Sequence, residues 1–389
     1  MTPPSVQDCL AKPPQFLGED FAFVVCQQAT ESCIKQHWVK PDRPFRLAFS
    51  RPGLITFKVL PHPESVINGV DAKGRRATEC PDVSPGQTVS IDLPCHPLIR
   101  LSGWVLGQVR GTLAEEMADQ VLDLCGKDWQ ALHVFSRDSA MPGEDGFEPG
   151  QCPLAEAISL QLQNKWLARN WRSDIAVNQP CGAGSRVLDV VLVEPNHWIV
   201  GYHWVESQNI ASAWPGGAYS LELPDAAISR AYLKMAEAVA WSQLPIRSGD
   251  AVVEIGSAPG GAAQRLLDMG LVVTGVDPAE MDPSLLEHPR FTHWRSKSMA
   301  IKRKKYSQFR WLTADANVAP NYTLDSVQDI VTYPTSRFEG LLLTLKLSDY
   351  RLLDHLEEYL ARIRSWNFRR VQARQLSHNR RELCVVAQK

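Results

Sequence analysis

The chain of 389 residues carries 41 basic and 43 acidic side chains, a formal net charge of −2, 44% hydrophobic residues and nine cysteines. This composition excludes a disordered or collagen-like chain, and at about 100–200 residues per domain the length predicts two or three domains, each with its own core. The balanced charge gives no global reason to expect nucleic acid, so any such role has to come from local clusters.

No stretch approaches the roughly 18–20 apolar residues that span a bilayer. The opening segment MTPPSVQDCLAKPPQ lacks a basic start followed by an apolar run, so a cytoplasmic protein without membrane contact is expected. Cys9, Cys26, Cys33, Cys80, Cys95, Cys125, Cys152, Cys181 and Cys384 are odd in number, scattered and never spaced CxxC. That pattern predicts reduced thiols rather than a disulfide framework or a zinc site. The histidines form no HxxxH or CxH pair, and no metal is expected.

Turn-rich segments punctuate the N-terminal half: KPDRP, PHPES, DAKGRR, SPGQ, MPGEDGFEPGQCP and QPCGAGS. Between them FAFVVC, FRLAFS, LITFKVL, VSIDL and SGWVLGQV have the length and patterning of strands, with a helical ATESCIKQHW after the first. A small α+β domain over residues 1–106 is predicted. The helix TLAEEMADQVLDLC, the strand LHVFS, the helix LAEAISLQLQNKWLARN and the strands RVLDVVLVEP and HWIVGYHWV form a second α+β unit over 107–211. Residues 212–224 read as a linker, after which Asp225 or Ser229 is placed to cap a helix through Trp241.

From Gly249 the pattern becomes strands alternating with helices, as in βαβ units with a parallel sheet. AVVEIG is the first strand, AAQRLLDMG the helix and LVVTGVD the second strand; FRWLTA, FEGLLLTLKL, FRRVQARQL and ELCVVAQ follow, the last two as an antiparallel hairpin. The first βα turn, Gly256-Ser257-Ala258-Pro259-Gly260-Gly261, lets a ligand approach the backbone. It is neither GxGxxG nor GxxxxGK[ST], and no lysine follows it, which disfavours a nucleotide triphosphate. Asp277, at the end of the second strand and 21 residues past Gly256, is placed to accept from a ribose diol. A ligand with a ribose, a carboxylate and no phosphate fits, namely S-adenosylmethionine. The alternative is that the glycines only make a tight turn and Asp277 only ends a strand.

With SAPGG and VDP in place, this region resembles the FtsJ-type ribose 2′-O-methyltransferases, whose catalytic set is Lys-Asp-Lys-Glu. Lys234 lies in ISRAYLKMAEA, Asp315 in FRWLTADANVAP, Lys346 in GLLLTLKLSD and Glu382 in ARQLSHNRRELCVV. The SRxxLKxxEA helix, the LKL strand and the ARQLxHxRxE hairpin are similar to the RlmM-like 23S rRNA cytidine 2′-O-methyltransferases, over about residues 225–389. Upstream, VLVEPNHWIVGYHW with SQNIASAWPGG resembles the end of a THUMP domain, and FAFVVCQQATESC the opening of a ferredoxin-like domain. The resemblance implies a Rossmann-like methyltransferase domain at 225–389 behind a ferredoxin-like domain and a THUMP-like RNA-binding domain, with S-adenosylmethionine as cofactor and 23S rRNA as partner. It implies Lys346 as general base, Lys234 as second cation, Asp315 orienting the amine and facing the sulfonium, and Glu382 holding the lysines in register. Where the family places an acid beside the adenine, this chain has Ser298, an acceptor without charge.

Each tetrad residue also has an ordinary reading. Lys234 is spaced to pair with Glu237 at a surface, Asp315 to start a turn, and Glu382 to pair with Arg381 or Arg370. Lys346 differs, because it interrupts an apolar run where lysines are almost never buried unpaired. Residues 290–310 carry Arg290, Arg295, Lys297, Lys302, Arg303, Lys304, Lys305 and Arg310 with no acid among them. A second strip, Arg362, Arg364, Arg369, Arg370, Arg374, Arg380 and Arg381, is interleaved with Trp366 and Phe368. Both are candidates for RNA phosphates, with the two aromatics placed either to stack bases or to pack in the core. A non-catalytic RNA-binding or ribosome-assembly protein on the same fold, and a methyltransferase acting on another acceptor such as tRNA, are the competing functions.

Overall fold

The computed structural model describes residues 21–60, 92–150, 152–171 and 174–389. Most of the expected strand VSIDL, the loops PHPES, DAKGRR and SPGQ, and Cys9 and Cys80 lie outside the described residues. Among the described residues no helix is long and apolar enough to cross a membrane.

The chain divides into two units. The first holds β1 (Phe21–Cys26), α1 (Glu31–Trp38), β2 (Phe45–Arg51), β3 (Leu54–Val59), most of β4 (Ile99–Arg110), α2 (Ala114–Cys125), β5 (Ala131–Ser136), α3 (Pro153–Ala168), β6 (Ala176–Val177), β7 (Arg186–Glu194) and β8 (His197–Trp204). Its described strands form one sheet in the order β2-β3-β1-β4-β8-β7-β5-β6. The expected boundary after residue 106 falls inside β4, at a bulge between Val105 and Gly107 where its pairing with β8 shifts register. The strands expected to belong to two domains therefore share a sheet. Phe23, Leu54, Leu101, Phe135, Val191 and Ile199 pack as one buried cluster drawn from both sides of that boundary. In β1 and β7 nearly every side chain is buried with no alternation, so each strand is covered on both faces.

Close approach fixes one residue of this core. A side chain at Gly201 in β8 would place its Cβ 2.4 Å from the Trp104 carbonyl oxygen and 2.8 Å from the Phe23 ring. Backbone and ring cannot both move aside, so Gly201→Ala is expected to destabilise the first unit by about 1–3 kcal/mol as an overpacked core. Urea unfolding of the variant against the parent checks this, and an unchanged midpoint would remove the packing argument.

The second unit contains α4 (Ala231–Ser242), β9 (Ala251–Ile255), α5 (Gly261–Asp268), β10 (Val272–Val276), α6 (Pro283–Leu286), β11 (Phe291–Trp294), β12 (Trp311–Ala314), α7 (Pro320–Val331), β13 (Gly340–Lys346), α8 (Leu356–Arg364), β14 (Arg370–Arg374) and β15 (Glu382–Gln388). The sheet order is β11-β10-β9-β12-β13-β15-β14. Strands β9 to β13 run parallel, and β15 runs antiparallel between β13 and β14, as the hairpin predicted. The fold is thus the Rossmann-like α/β arrangement expected from the βαβ pattern. The chain builds outward through β10 and β11, then returns past β9 to lay down β12. That reversal makes a crevice at the carboxyl ends of β9 and β12, the place where open α/β sheets bind ligands.

Helix α4 starts at Ala231, later than a cap at Asp225 would set it. The Ser229 hydroxyl does accept from Ala231 N at 3.3 Å. Strand β11 is short and half-exposed, which is why its four residues carry no legible strand pattern.

Candidate active site

Three strand ends and one helix carry the chemistry. Asp315 follows β12 directly, Lys346 ends β13, Glu382 opens β15 and Lys234 sits in the second turn of α4. Antiparallel register places Lys346 opposite Glu382. The structure brings all four together. Lys346 Nζ lies 2.8 Å from Asp315 Oδ1 and 2.5 Å from Glu382 Oε2; Lys234 Nζ lies 2.5 Å from Glu382 Oε1 and 3.5 Å from Asp315 Oδ2. Two ammonium groups thus alternate with two carboxylates in a closed ring of ion pairs.

The ring sets the protonation of its members. Burial alone would push the Asp315 carboxyl up, but the charges of Lys234 and Lys346 hold it below the usual carboxylate range. Burial would lower Lys346, but Asp315 and Glu382 reverse that and raise it. At rest, Lys346 is an ammonium ion. Beside the ring a cavity of ≈ 30 Å³ is lined by Lys234, Asp315, Leu342, Thr344 and Asn379 among others, space enough for a water molecule.

Sequence reasoning missed the residues that hold this ring in place. Glu237, three residues after Lys234, does not pair with it. Its buried carboxylate accepts from Ser377 N, Ser377 Oγ and His378 N at 2.8–2.9 Å, fastening the β14–β15 loop to α4. Asn379 Nδ2 donates to Glu382 Oε1 at 3.2 Å. His378 is fully buried, with Nδ1 3.1 Å from Glu148 Oε2 and Nε2 3.0 Å from the Tyr219 carbonyl. Glu148 also receives Arg230, the residue at the start of α4. Arg230 and Glu237 stand in the SRxxLKxxEA helix and His378 in the ARQLxHxRxE hairpin, but their partners lie 82–230 residues away in the chain and are not legible there.

The expected cofactor turn joins β9 to α5. Gly256 has φ +78° and a side chain there would meet the Asp315 carbonyl at 2.8 Å, so only glycine suits the position. Ser257 is turned inward and donates to Glu254 Oε2 at 2.6 Å. Glu254 itself is fully buried: burial pushes its carboxyl up to about 8 against the lowering effect of Ser257, helped by the charges of Asp315 and Asp277. It keeps its proton at neutral pH, and an acid inside the apolar run AVVEIG was the sign of it. Asp277 is half-buried; its two oxygens accept from Ala258 N at 3.2 Å and Ala279 N at 2.8 Å, each keeping a further lone pair. Pro259, Gly260 and Gly261 complete the turn into α5. Ser298 stands four residues past β11, where its carbonyl, rather than its hydroxyl, receives Tyr306 and Arg303. The walls of the cavity include neither Asp277 nor Ser298. Two carboxylates, glycine backbone and no basic side chain on the turn suit a ligand with a diol and a positive charge and without phosphate, which fits S-adenosylmethionine.

The basic clusters divide. Arg310 is engaged by Asp250 and Glu339, Arg303 by Asp329, Arg295 by Glu280, and Arg290 by the Gly270 carbonyl. Lys297, Lys302, Lys304 and Lys305 are exposed. In the second strip, Trp366 and Phe368 are core residues. Arg362 bonds to Asp325, Arg370 to the Ser242 carbonyl, Arg374 to the Arg100 carbonyl and Arg380 to the Pro142 carbonyl. Of the strip expected to face RNA, Arg374 is buried, Arg362 and Arg370 are half-buried, and Arg364, Arg369, Arg380 and Arg381 are exposed.

Comparison with known proteins agrees with this geometry. Residues 227–349 match the FtsJ-like methyltransferase family, so the second unit carries an FtsJ-like methyltransferase domain. The chain is 29% identical over 180 residues to "Ribosomal RNA large subunit methyltransferase M" of Halorhodospira halophila, covering 45% of this chain and 51% of that protein. Proteins of the same name from Hahella chejuensis and Marinobacter nauticus are 26% and 28% identical, over 60% and 66% of this chain and 59% and 71% of theirs. The match thus spans between half and three fifths of the first two relatives.

The His378 ring faces oxygen atoms at both nitrogens, which favours its doubly protonated form. Burial opposes that charge, but Glu148 and Glu237 outweigh it and raise the ring above 6.5. A raised folded value stabilises below the unfolded value, and the contribution is lost as pH climbs through the folded one. Thermal midpoints of the second unit are therefore expected to fall as pH rises above 6.5. The His378→Gln variant, less stable at pH 6.5, should lose that slope; an equal slope in both would show that His378 does not carry it.

Proposed function

We propose that the protein is an S-adenosylmethionine-dependent RNA ribose 2′-O-methyltransferase acting on a cytidine of 23S rRNA in the cytoplasm, with Lys346 as the base. The observation that carries the proposal is the closed ring of Lys234, Asp315, Lys346 and Glu382 at the crevice of an FtsJ-like domain. The name shared by its relatives supports large-subunit rRNA as the substrate. Residues 1–106 and 107–211 are proposed as ferredoxin-like and THUMP-like modules that grip RNA, joined through β4.

A ribose hydroxyl is a weak nucleophile at neutral pH, so the protein has to align it and take its proton as the new bond forms. The cofactor supplies an activated methyl group and one positive charge. Gly256, Pro259, Gly260 and Gly261 would hold its amino-acid end, Asp277 its ribose, and Ser298 its adenine without a charge. Lys346 has to lose a proton before it can accept one. The two lysines and two carboxylates sum to zero, so one further positive charge in the crevice would favour that loss, and Asp315 would be the carboxylate that faces it. Glu382 keeps both lysine side chains in place throughout. Lys297, Lys302 and Lys304, which are exposed, and Lys305, which is exposed with its ammonium over the Trp294 ring, are cations available to RNA phosphates.

Methyl transfer from labelled cofactor to large-subunit rRNA from cells lacking the protein tests the proposal. Lys346→Ala is expected to reduce the rate by about 10²–10⁴-fold while leaving cofactor affinity within a few fold. The parent rate should rise with pH into the alkaline range, because Lys346 is held protonated. Cofactor binding with no transfer to any rRNA would favour a non-catalytic assembly role. A product nucleoside other than a 2′-O-methylated one would favour another acceptor chemistry.

A further inference from the structure

In the first unit, outside the methyltransferase domain, three metal-ligating side chains meet in the sheet. His133 in β5 is paired with Asp189 in β7, and Asp189 is paired with Gly201 in β8, two residues before His203. Alternation along the strands therefore turns all three side chains to one face. Their exposures are 0%, 0% and 2%, and one ligand atom from each lies within 4.8 Å of the others.

The hydrogen bonds around the cluster define which atoms are left over. His133 Nε2 is 3.1 Å from the Gln179 carbonyl oxygen and His203 Nε2 is 2.7 Å from that of Ser212. A carbonyl only accepts, so both Nε2 atoms carry hydrogen and both Nδ1 atoms are turned toward the carboxylate. His203 Nδ1 meets Asp189 Oδ2 at 2.6 Å. His133 Nδ1 and Asp189 Oδ1 are shielded from solvent and have no hydrogen-bond partner among the described residues. Two buried acceptors beside each other without a donor call for a cation or a shared water. Histidines whose outer nitrogens are fixed on carbonyls, with the inner ones facing a carboxylate, have the second-shell arrangement of metal ligands.

We propose that His133 Nδ1, His203 Nδ1 and Asp189 form a site for one divalent transition-metal ion, with zinc the best match for two imidazoles and a carboxylate. Such a donor set is too nitrogen-rich for calcium or magnesium and too hard for copper(I). The ion takes the place of the hydrogen on His203 Nδ1, which leaves to solvent, and the widest ligand pair closes by roughly 1–1.5 Å to reach bonds of about 2.0–2.1 Å. A fourth position remains for water. The loop that supplies the Gln179 carbonyl is exposed from Gly182 to Gly184, which gives the ion a route in. The ion's effect is to tie β5, β7 and β8 together. The ligands lie 56 and 14 residues apart in the chain, so no spacing motif announces them and the sequence alone predicts no metal.

The full chain, expressed without a histidine tag, is analysed for metal and then titrated with zinc chloride after chelation. One zinc per chain, with a dissociation constant of roughly micromolar or tighter and a rise in thermal midpoint, is expected. His133→Gln removes one ligand and should weaken binding at least tenfold. If that variant does not fold, cobalt loading of the parent gives the second readout: tetrahedral ligand-field bands without a thiolate charge-transfer band. No binding of zinc or cobalt by the parent, or equal binding by folded His133→Gln, overturns the site.

Discussion

One carboxylate shared by two ammonium groups organises the second unit. Glu382 is almost fully buried and holds Lys234 with one oxygen and Lys346 with the other. A buried carboxylate is tolerated only where opposite charge and hydrogen bonds replace its hydration, and losing one partner leaves the rest uncompensated. The geometry around Glu382 is therefore over-determined. Cross-strand register sets Lys346 opposite it, Asn379 bonds one of its oxygens, and Glu237 pins the loop before it to the helix that carries Lys234. Arg230, Glu148 and His378 extend that framework to the start of the helix. Most of the polar groups buried in this region serve the position of four side chains.

That arrangement stabilises the ammonium form of Lys346, the form that cannot act as a base. A site of zero net charge is the more stable resting state, and it is also one whose balance is altered by a single added cation. Glu254 fits the same logic. Two carboxylates, Asp277 and Asp315, already face the crevice, and a third ionised one would repel both, so burial keeps Glu254 neutral with Ser257 as its partner. The crevice is tuned by which acids keep their charge as much as by which residues line it.

Features visible in the sequence were those in which one residue contradicts its local pattern. A lysine inside LLLTLKL and glycines between a strand and a helix cannot be explained by the apolar periodicity around them, and both lie at the site. Hidden features depend on partners far along the chain. Glu237 looks like a surface acid until the loop at 376–379 folds over it. The arginines of the last hairpin look like a strip for RNA, but carbonyls at Ser242, Arg100 and Pro142 claim three of them. The boundary expected at residue 106 falls inside one twelve-residue strand, at the bulge between Val105 and Gly107, because β4 pairs onward with β8 across that position.

The net charge of −2 illustrates the same difference between composition and placement. Of the eight basic residues between 290 and 310, the four arginines are held by acids or carbonyls of their own unit, and the four lysines are exposed. The division follows the chemistry of the groups. A planar guanidinium with five donors satisfies carbonyls and carboxylates at fixed angles, whereas an ammonium on a flexible stem loses little by staying hydrated. Recognition of a phosphate backbone through this segment would rest on lysines, point charges that position without reading sequence.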